Sequence, residues 1–152
     1  MSIRPLDITD PAVASVVLAL QRLAYRVEAE WLGRDDIPPL HEELTALRAC
    51  GETFFGAFAD GMLAGAISYK LAGDTLDLHR LMVHPRHFRR GIARTLVGFV
   101  ERQEGQAPRT IVSTGSRNAP GRRLYARLGF QEIGEREVAP GFKIVAFEKS
   151  RP

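Results

Sequence analysis

The feature that most constrains this fold is a β-rich run that passes through a short basic loop into an amphipathic segment. Residues 75–84 have strand composition and are followed by Pro85. Residues 91–103 place apolar side chains on one helical stripe, at Ile92, Leu96, Phe99 and Val100. Because another β-rich run follows at 110–114, the sequence predicts a β-α-β crossover, which is right-handed in nearly all proteins.

The rest of the chain alternates short β-rich and helical segments. Asp60-Gly61 and Pro140-Gly141 each separate two β-rich runs and predict hairpins. Asp10 before Pro11 predicts the start of a helix. We expect strands at 2–7, 53–59, 62–71, 75–84, 110–114, 130–137 and 142–149, helices at 11–27, 40–49, 91–103 and 118–128, and mostly loop at 28–39.

This order of elements combines a meander with a crossover. We therefore expect an α/β (α+β) fold in which a single domain spans residues 1–152. Its sheet should be mixed and mostly antiparallel, with helices on both faces. Alternation of apolar residues is lost between Leu78 and Leu81, which predicts a β-bulge in that strand.

Composition narrows the class of protein. The chain has 152 residues, of which 45% are hydrophobic and 26% charged, a balance typical of globular domains. No run approaches the roughly 18 apolar residues of a membrane span, and the first residues lack the apolar core of a secretory signal. Cys50 is the only cysteine, so no internal disulfide is possible. We expect a cytoplasmic protein without a membrane partner.

The basic loop has the composition of an anion site. The first N–H groups of a helix lack intrahelical partners and lie at the positive end of its dipole. Gly91 lets the backbone approach a phosphate, and small Ala93 leaves room. Positive charge comes from Arg89, Arg90 and Arg94. The alternative is an ordinary turn with solubilising arginines. Neither G-x-x-x-x-G-K-[ST] nor G-x-G-x-x-G is present, which argues against the common nucleotide motifs.

A second informative segment is the helix predicted at 118–128. Asn118 is a suitable N-cap, and Gly129 a suitable left-handed terminator. Tyr125 follows the inward-facing Leu124. Taken alone, a tyrosine there is more often a residue at the edge of the core than a catalyst.

Together the two segments resemble the GNAT superfamily of acyl-CoA N-acyltransferases. The first family signature, [QR]-x-x-G-x-[GA], falls on Phe88-Arg89-Arg90-Gly91-Ile92-Ala93, with Phe88 in place of Gln or Arg. The second, N-x-x-A-x-x-L-Y-x-x-x-G-F, matches at Asn118, Leu124, Tyr125, Gly129 and Phe130, with Gly121 in place of Ala. The order of elements is also similar over nearly the whole chain.

The resemblance implies that acetyl-CoA lies in a cleft where the 75–84 and 110–114 strands splay apart. Its pyrophosphate would bind the N–H groups of residues 89–94, and its pantetheine arm would pair with the backbone of residues 81–83. The cofactor residues so implied are Leu81, Met82, Val83, Arg89, Arg90, Gly91, Ile92, Ala93, Arg94 and Asn118. An N–H group near Leu81 or Val83 would hold the thioester oxygen.

The resemblance also makes Tyr125 the general acid that protonates the departing thiolate. The base that deprotonates the amine is less defined. Asp77 and His79 on the 75–84 strand are candidates, and Glu28 and Glu30 are alternatives that instead could bind a cationic substrate. Each of these four residues is also readable as a surface charge.

Two alternative functions can be weighed on the same residues, a binding module and a nucleic-acid-binding domain. The protein could be a non-catalytic acyl-CoA-binding module, such as a sensor or degenerate subunit. Nucleic-acid binding is not expected, because few aromatic residues accompany the arginines. No metal site is expected, because the histidines lack ligand spacing. The acceptor is expected to be a small-molecule or peptide amine, and a homodimer through the terminal strands is left open.

Overall fold

The computed structural model describes residues 1–151. Seven strands form one sheet. They are β1 (Ser2–Leu6), β2 (Thr53–Ala59), β3 (Met62–Ala72), β4 (Thr75–Val83), β5 (Arg109–Gly115), β6 (Gln131–Ala139) and β7 (Phe142–Ser150). The helices are α1 (Pro11–Leu32), α2 (Pro38–His41), α3 (Leu44–Arg48), α4 (Ile92–Gln103) and α5 (Ala119–Arg127), with a 3-10 turn at Pro85–His87. Within the described range, none of the helices combines the length and hydropathy needed to cross a bilayer.

The sheet has the order β1-β2-β3-β4-β5-β7-β6. Among the described strands only β4 and β5 run parallel, joined by α4 as the crossover. The β2–β3 hairpin turns at Asp60-Gly61, where φ is 54° and 76°, the positive values that tight hairpins require. The expected mixed, mostly antiparallel sheet is confirmed.

Helices cover both faces of the sheet, as the sequence predicts. On one face α1 and α3 bury Val17, Leu18 and Leu47 against the sheet, and the adjoining core includes Met82 of β4. On the other face, α4 and α5 contribute Leu96 and Tyr125, among others, to a core that half-buried Leu81 packs against. Leu81 and Met82 belong to different cores because successive side chains of a strand point to opposite faces. Each large aliphatic side chain buried in this way contributes roughly 1.5–3 kcal/mol.

Helix α1 is longer than the sequence predicts. It continues through Leu32 and ends at Gly33, whose φ of 70° is left-handed. The predicted loop is therefore wrong for residues 28–32, because Gly33 is the first residue that breaks the helix and the Glu and Ala residues before it favour helix. The extension places Tyr25 and Glu28 one turn apart on a single helix.

The helix predicted at 40–49 is two short helices, α2 and α3, with extended backbone at Glu42 and Glu43 between them. A tertiary contact explains the break. Gln21 Nε2 donates to the Pro39 carbonyl oxygen at 2.8 Å and to Glu42 Oε1 at 2.9 Å, and Glu42 also pairs with Arg80. These contacts need the extended conformation at Glu42 and override helix propensity.

Strands β4 and β5 separate part-way along their length. Their pairing ends at Leu78 and Val112, whereas β4 continues to Val83 and β5 to Gly115. The predicted bulge is confirmed at the same place, because the β3 partners of Leu78 and Arg80 are adjacent residues and His79 is the extra one. A cleft thus opens between the two strands just beyond the bulge.

Candidate active site

The cleft is lined on one side by backbone groups of β4. His84 N–H donates to the Ala64 carbonyl oxygen of β3 at 2.8 Å. Because N–H groups alternate in direction along a strand, those of Leu81 and Val83 point away from β3 and into the cleft. The Met82 side chain is buried in the α1-side core. The splayed segment therefore offers unpaired strand backbone to an extended ligand.

The loop before α4 turns successive backbone groups towards one side. Gly91 is the N-cap of α4 with φ 74°, and Arg89 has φ 64°, a value uncommon outside glycine. Such left-handed residues in a turn create a concavity of N–H groups. Because the N-cap residue Gly91 has no side chain, it offers no capping hydrogen bond to the first N–H groups of α4. The side chains of Arg89, Arg90 and Arg94 are exposed, so the loop combines free donors with positive charge.

Phe88 occupies the signature position that the family fills with Gln or Arg. Its ring lies 6.5 Å from the ring of Trp31 near the end of α1. This contact ties the loop to α1 by apolar packing, whereas a Gln or Arg would offer a polar side chain. The departure from the signature therefore has a structural partner that the sequence did not reveal.

Tyr125 projects from α5 into the core on the α4 side. Its ring lies 5.5 Å from the rings of both Phe130 and Phe147, and only 5% of the residue is exposed. Burial raises the pKa of the Tyr125 phenol above its usual range, and the charges of Tyr25 and Glu28 raise it further. The phenol is therefore neutral near pH 7 and available as a proton donor.

Two residues of α1, Tyr25 and Glu28, approach the same place from the other face of the sheet. Burial, followed by the Glu28 charge, raises the pKa of the Tyr25 phenol, and the Leu81 backbone N–H opposes this rise. Burial also raises the pKa of the Glu28 carboxyl, with a smaller opposing effect from the Asn118 hydrogen bond. Glu28 reaches Asn118 at the start of α5 in the region where β4 and β5 have separated.

Asn118 connects α1, β5 and α5. Its Oδ1 accepts from the Gly121 N–H at 3.0 Å, which caps α5 as the sequence predicts. Its Nδ2 donates to Thr114 Oγ1 at 3.0 Å and to Glu28 Oε1 at 3.3 Å. The amide therefore fixes the start of α5, which carries Tyr125, relative to the end of β5.

Asp77 and His79 lie together on β4 in a chain of charged groups. His79 Nε2 is 3.3 Å from Asp77 Oδ2, and His79 Nδ1 is 3.5 Å from Glu52 Oε2. Glu52 is in turn held by Arg80 and Ser68, whose hydrogen bonds outweigh the opposing effect of burial and lower its pKa. Asp77 belongs to the part of β4 that still pairs with β5. The structure thus joins the two predicted base candidates to each other and to Glu52.

Sequence reasoning missed two parts of this site. Tyr25 and the charged cluster around Arg80 were not singled out, and Glu28 was only an alternative. The i, i+3 spacing of Tyr25 and Glu28 would have indicated a shared face if α1 had been extended to Gly33. The contacts of Arg80 join residues distant in sequence, so no local pattern could have found them.

Comparisons with known proteins agree with this geometry. The sequence model of the acetyltransferase (GNAT) family matches residues 18–130. UPF0157 protein YqkA of Bacillus subtilis (strain 168) is 37% identical over 138 residues, which is 91% of this chain and 40% of that protein. The chain thus spans two fifths of the length of this curated relative.

Three solved structures share the fold. The ribosomal-protein-S18-alanine N-acetyltransferase of Escherichia coli is similar with a TM-score of 0.78 at 16% identity, covering 98% of this chain and 92% of that one. The PaiA N-acetyltransferase of Thermoplasma acidophilum, in complex with coenzyme A, has a TM-score of 0.71 at 19% identity and 99% coverage of both chains. An aminoglycoside 6′-N-acetyltransferase complexed with coenzyme A has a TM-score of 0.75 at 19% identity, covering 100% of this chain and 99% of that one.

The family match covers most of the chain, and the splayed sheet has the shape of the solved acetyltransferases. The chain belongs to the GNAT acetyltransferase family.

Proposed function

We propose that this protein is an N-acetyltransferase that moves an acetyl group from acetyl-CoA to a primary amine by direct attack. The observation that carries the proposal is the position of Glu28 beside the start of the helix that carries Tyr125, where β4 and β5 have separated. Glu28 Oε1 accepts a hydrogen bond from Asn118, the N-cap of α5, and both Glu28 and Tyr25 act on the pKa of Tyr125. A proton donor, a carboxylate and oxyanion donors are the parts that acyl transfer to an amine needs.

The donor set of the loop and β4 suits acetyl-CoA as a substrate. The free N–H groups of Gly91, Ile92 and Ala93 and the exposed side chains of Arg89, Arg90 and Arg94 match a pyrophosphate. The cleft-facing backbone of Leu81 and Val83 matches the amide groups of a pantetheine arm, which would add to β4 as a strand does. Met82 contributes backbone only, since its side chain is buried on the α1 side, and Asn118 lies at the opposite wall.

The N–H groups of Leu81 and Val83 are the candidate donors for the oxyanion that develops on the thioester carbonyl. The Leu81 N–H lies close enough to the Tyr25 phenol to lower its pKa, against the larger effect of burial.

Tyr125 is the proposed general acid for the departing thiolate. A thiol has an ordinary pKa of about 8.5, so a protonated phenol nearby assists its departure. The raised pKa of Tyr125 keeps the phenol protonated at neutral pH. Asn118 and the Phe130 and Phe147 rings hold the helix and the Tyr125 ring in place.

The step that deprotonates the amine has two candidate acceptors. One is the Asp77–His79 pair on β4, which is joined to Glu52. The other is Glu28 on α1, which lies near enough for its charge to raise the pKa of Tyr125.

A small-molecule or peptide amine is the proposed acceptor, and the protein is proposed to act in the cytoplasm without nucleic acid. A homodimer stays a prediction.

Amine-dependent release of free thiol from acetyl-CoA tests the proposal. We expect thiol release to require both the protein and a primary amine, with one acetylated amine formed for each thiol. A protein that binds acetyl-CoA but releases thiol with no amine of a broad panel would instead be the non-catalytic binding module.

A further inference from the structure

Glu28 carries a carboxylate that has few hydrogen-bonding partners among the described residues. It is half-buried, and its Oε1 accepts one hydrogen bond, from Asn118 Nδ2 at 3.3 Å. A Cβ added to Gly115 of β5 would lie 3.6 Å from the same oxygen, so β5 approaches the carboxylate closely. Within residues 1–151, no Lys, Arg or His forms an ion pair with it. Carboxylates in such positions ordinarily have a cationic partner.

The groups around Glu28 are acceptors and phenols. Tyr25 of α1 and Tyr125 of α5 lie near enough for the Glu28 charge to raise their pKa values, while β5 contributes Thr114 and Gly115, which do not titrate. The positive side chain that acts on Tyr25 is Arg80 of β4, and its guanidinium is already paired with Glu42 and Glu52. An alkylammonium carries three N–H donors and one positive charge, which matches a carboxylate flanked by phenol oxygens.

We propose that Glu28, with Tyr25 beside it, binds the acceptor as a protonated alkylamine with the basicity of a lysine ε-amine and removes its proton, an inference that rests on the proposed acetyl transfer. Asn118 links the two roles, because its Nδ2 donates to Glu28 Oε1 and its Oδ1 caps the helix that carries Tyr125. Acid and base thus lie at one place in the cleft. The Asp77–His79 pair lies instead at and before the bulge, next to Glu52.

The protons and bonds balance in this arrangement. The ammonium gives one proton to Glu28, and the nitrogen lone pair forms the C–N bond to the thioester carbonyl carbon. The C–S bond then breaks, and the sulphur takes the proton of Tyr125. The nitrogen loses its second proton, which restores the phenol, and Glu28 passes its proton to water. The products are an amide, the free thiol of CoA and one proton.

The test compares amines that differ in basicity. One peptide offers only a lysine ε-amine, with a pKa of about 10.4, and a second offers only an α-amine, with a pKa of about 7.7–8.0. Putrescine serves as a free alkylamine and distinguishes a small molecule from a lysine side chain as the source. The variants are Glu28→Gln, Glu28→Asp and the control Glu43→Gln, which alters an exposed carboxylate that makes no side-chain capping hydrogen bond. Acetyl-CoA binding by calorimetry reports whether each variant retains its folded cofactor site.

We expect the wild type to acetylate the alkylamines. Glu28→Gln should lower kcat/KM for them by about 10²–10⁴-fold, and the loss should be about tenfold smaller for the α-amine, which deprotonates more readily. The loss should also shrink as pH approaches the pKa of the alkylamine, because the free amine then forms without a base. Glu28→Asp should restore part of the activity, Glu43→Gln should resemble the wild type, and acetyl-CoA binding should be unchanged in all three.

Wild-type turnover combined with an unaffected Glu28→Gln variant would overturn this inference alone. So would a loss that is the same for all amines and at all pH values, since that pattern indicates a structural role. A wild type that uses only the α-amine would overturn the proposed acceptor class. Acetyl-CoA binding without turnover of any amine would overturn the proposed function and this inference with it.

Discussion

Replacement of Tyr125 by phenylalanine separates chemistry from packing at the proposed site. The ring is held between Phe130 and Phe147 at 5.5 Å from each, so Tyr125→Phe keeps the apolar contacts and removes one hydroxyl. Loss of a positioned general acid costs about 10²–10⁴-fold in rate, equivalent to about 3–5 kcal/mol of transition-state free energy. Because the α4 loop and β4 are untouched, acetyl-CoA affinity should stay within a few fold of the wild type.

The assay is steady-state thiol release from acetyl-CoA with a saturating primary amine, with calorimetric binding of acetyl-CoA as the control. The pH profile adds a second readout. Burial raises the pKa of Tyr125, so the phenol stays protonated at neutral pH. Deprotonation of Tyr125 should therefore not lower the wild-type rate until pH exceeds the ordinary tyrosine pKa of about 10. A Tyr125→Phe rate within threefold of the wild type would refute the assignment of Tyr125 as the acid.

Two further predictions concern stability. Arg80→Met should lower the free energy of unfolding by roughly 3–5 kcal/mol in urea titrations at pH 7, because Glu42 and the buried Glu52 lose their partner. The folded-state pKa of Glu52 is lowered, so its contribution to stability is present above the unfolded pKa of about 4.3 and is lost as pH falls through the folded value. The difference in unfolding free energy between wild type and Arg80→Met should therefore narrow in that acidic range. A gap that does not change with pH would argue against this pair as the cause. Gly65→Ala should lower the free energy of unfolding by about 1–3 kcal/mol, because the new Cβ would lie 2.8 Å from a side-chain carbon of α4. Gly134→Ala is the matched control: it has open space around it and should be nearly neutral in thermal unfolding. Equal losses of stability for both variants would contradict the packing described for β3.

The sequence predicted those parts of the fold that local patterns determine. The hairpins at Asp60-Gly61 and Pro140-Gly141 and the crossover through α4 depend on turn chemistry and periodicity close in sequence. The bulge at His79 was visible because the alternation slips within one strand. The break between α2 and α3 was not, because it depends on contacts of Glu42 with Gln21 and Arg80 that come from distant segments.

The same division applies to the site. The phosphate loop and Asn118 were predictable because a helix N-terminus and a cap are local devices. The approach of Tyr25 and Glu28 to Tyr125 was not predictable, since it needs α1 to extend to Gly33 and the sheet to open beneath it. The pairing of Phe88 with Trp31 was also hidden, because those residues are far apart in sequence.

Calorimetric titration with acetyl-CoA, comparing wild type with Gly91→Glu, tests the central claim most directly. The substitution places bulk and negative charge at the N-cap of α4, at a residue whose φ of 74° also favours glycine; Gly141→Glu, at another left-handed glycine in the β6–β7 turn, is the control for backbone strain. Wild type and Gly141→Glu should bind acetyl-CoA, and Gly91→Glu should not. A wild type that binds neither acetyl-CoA nor free CoA, or a Gly91→Glu variant that binds as well as the wild type, would contradict the proposed cofactor site.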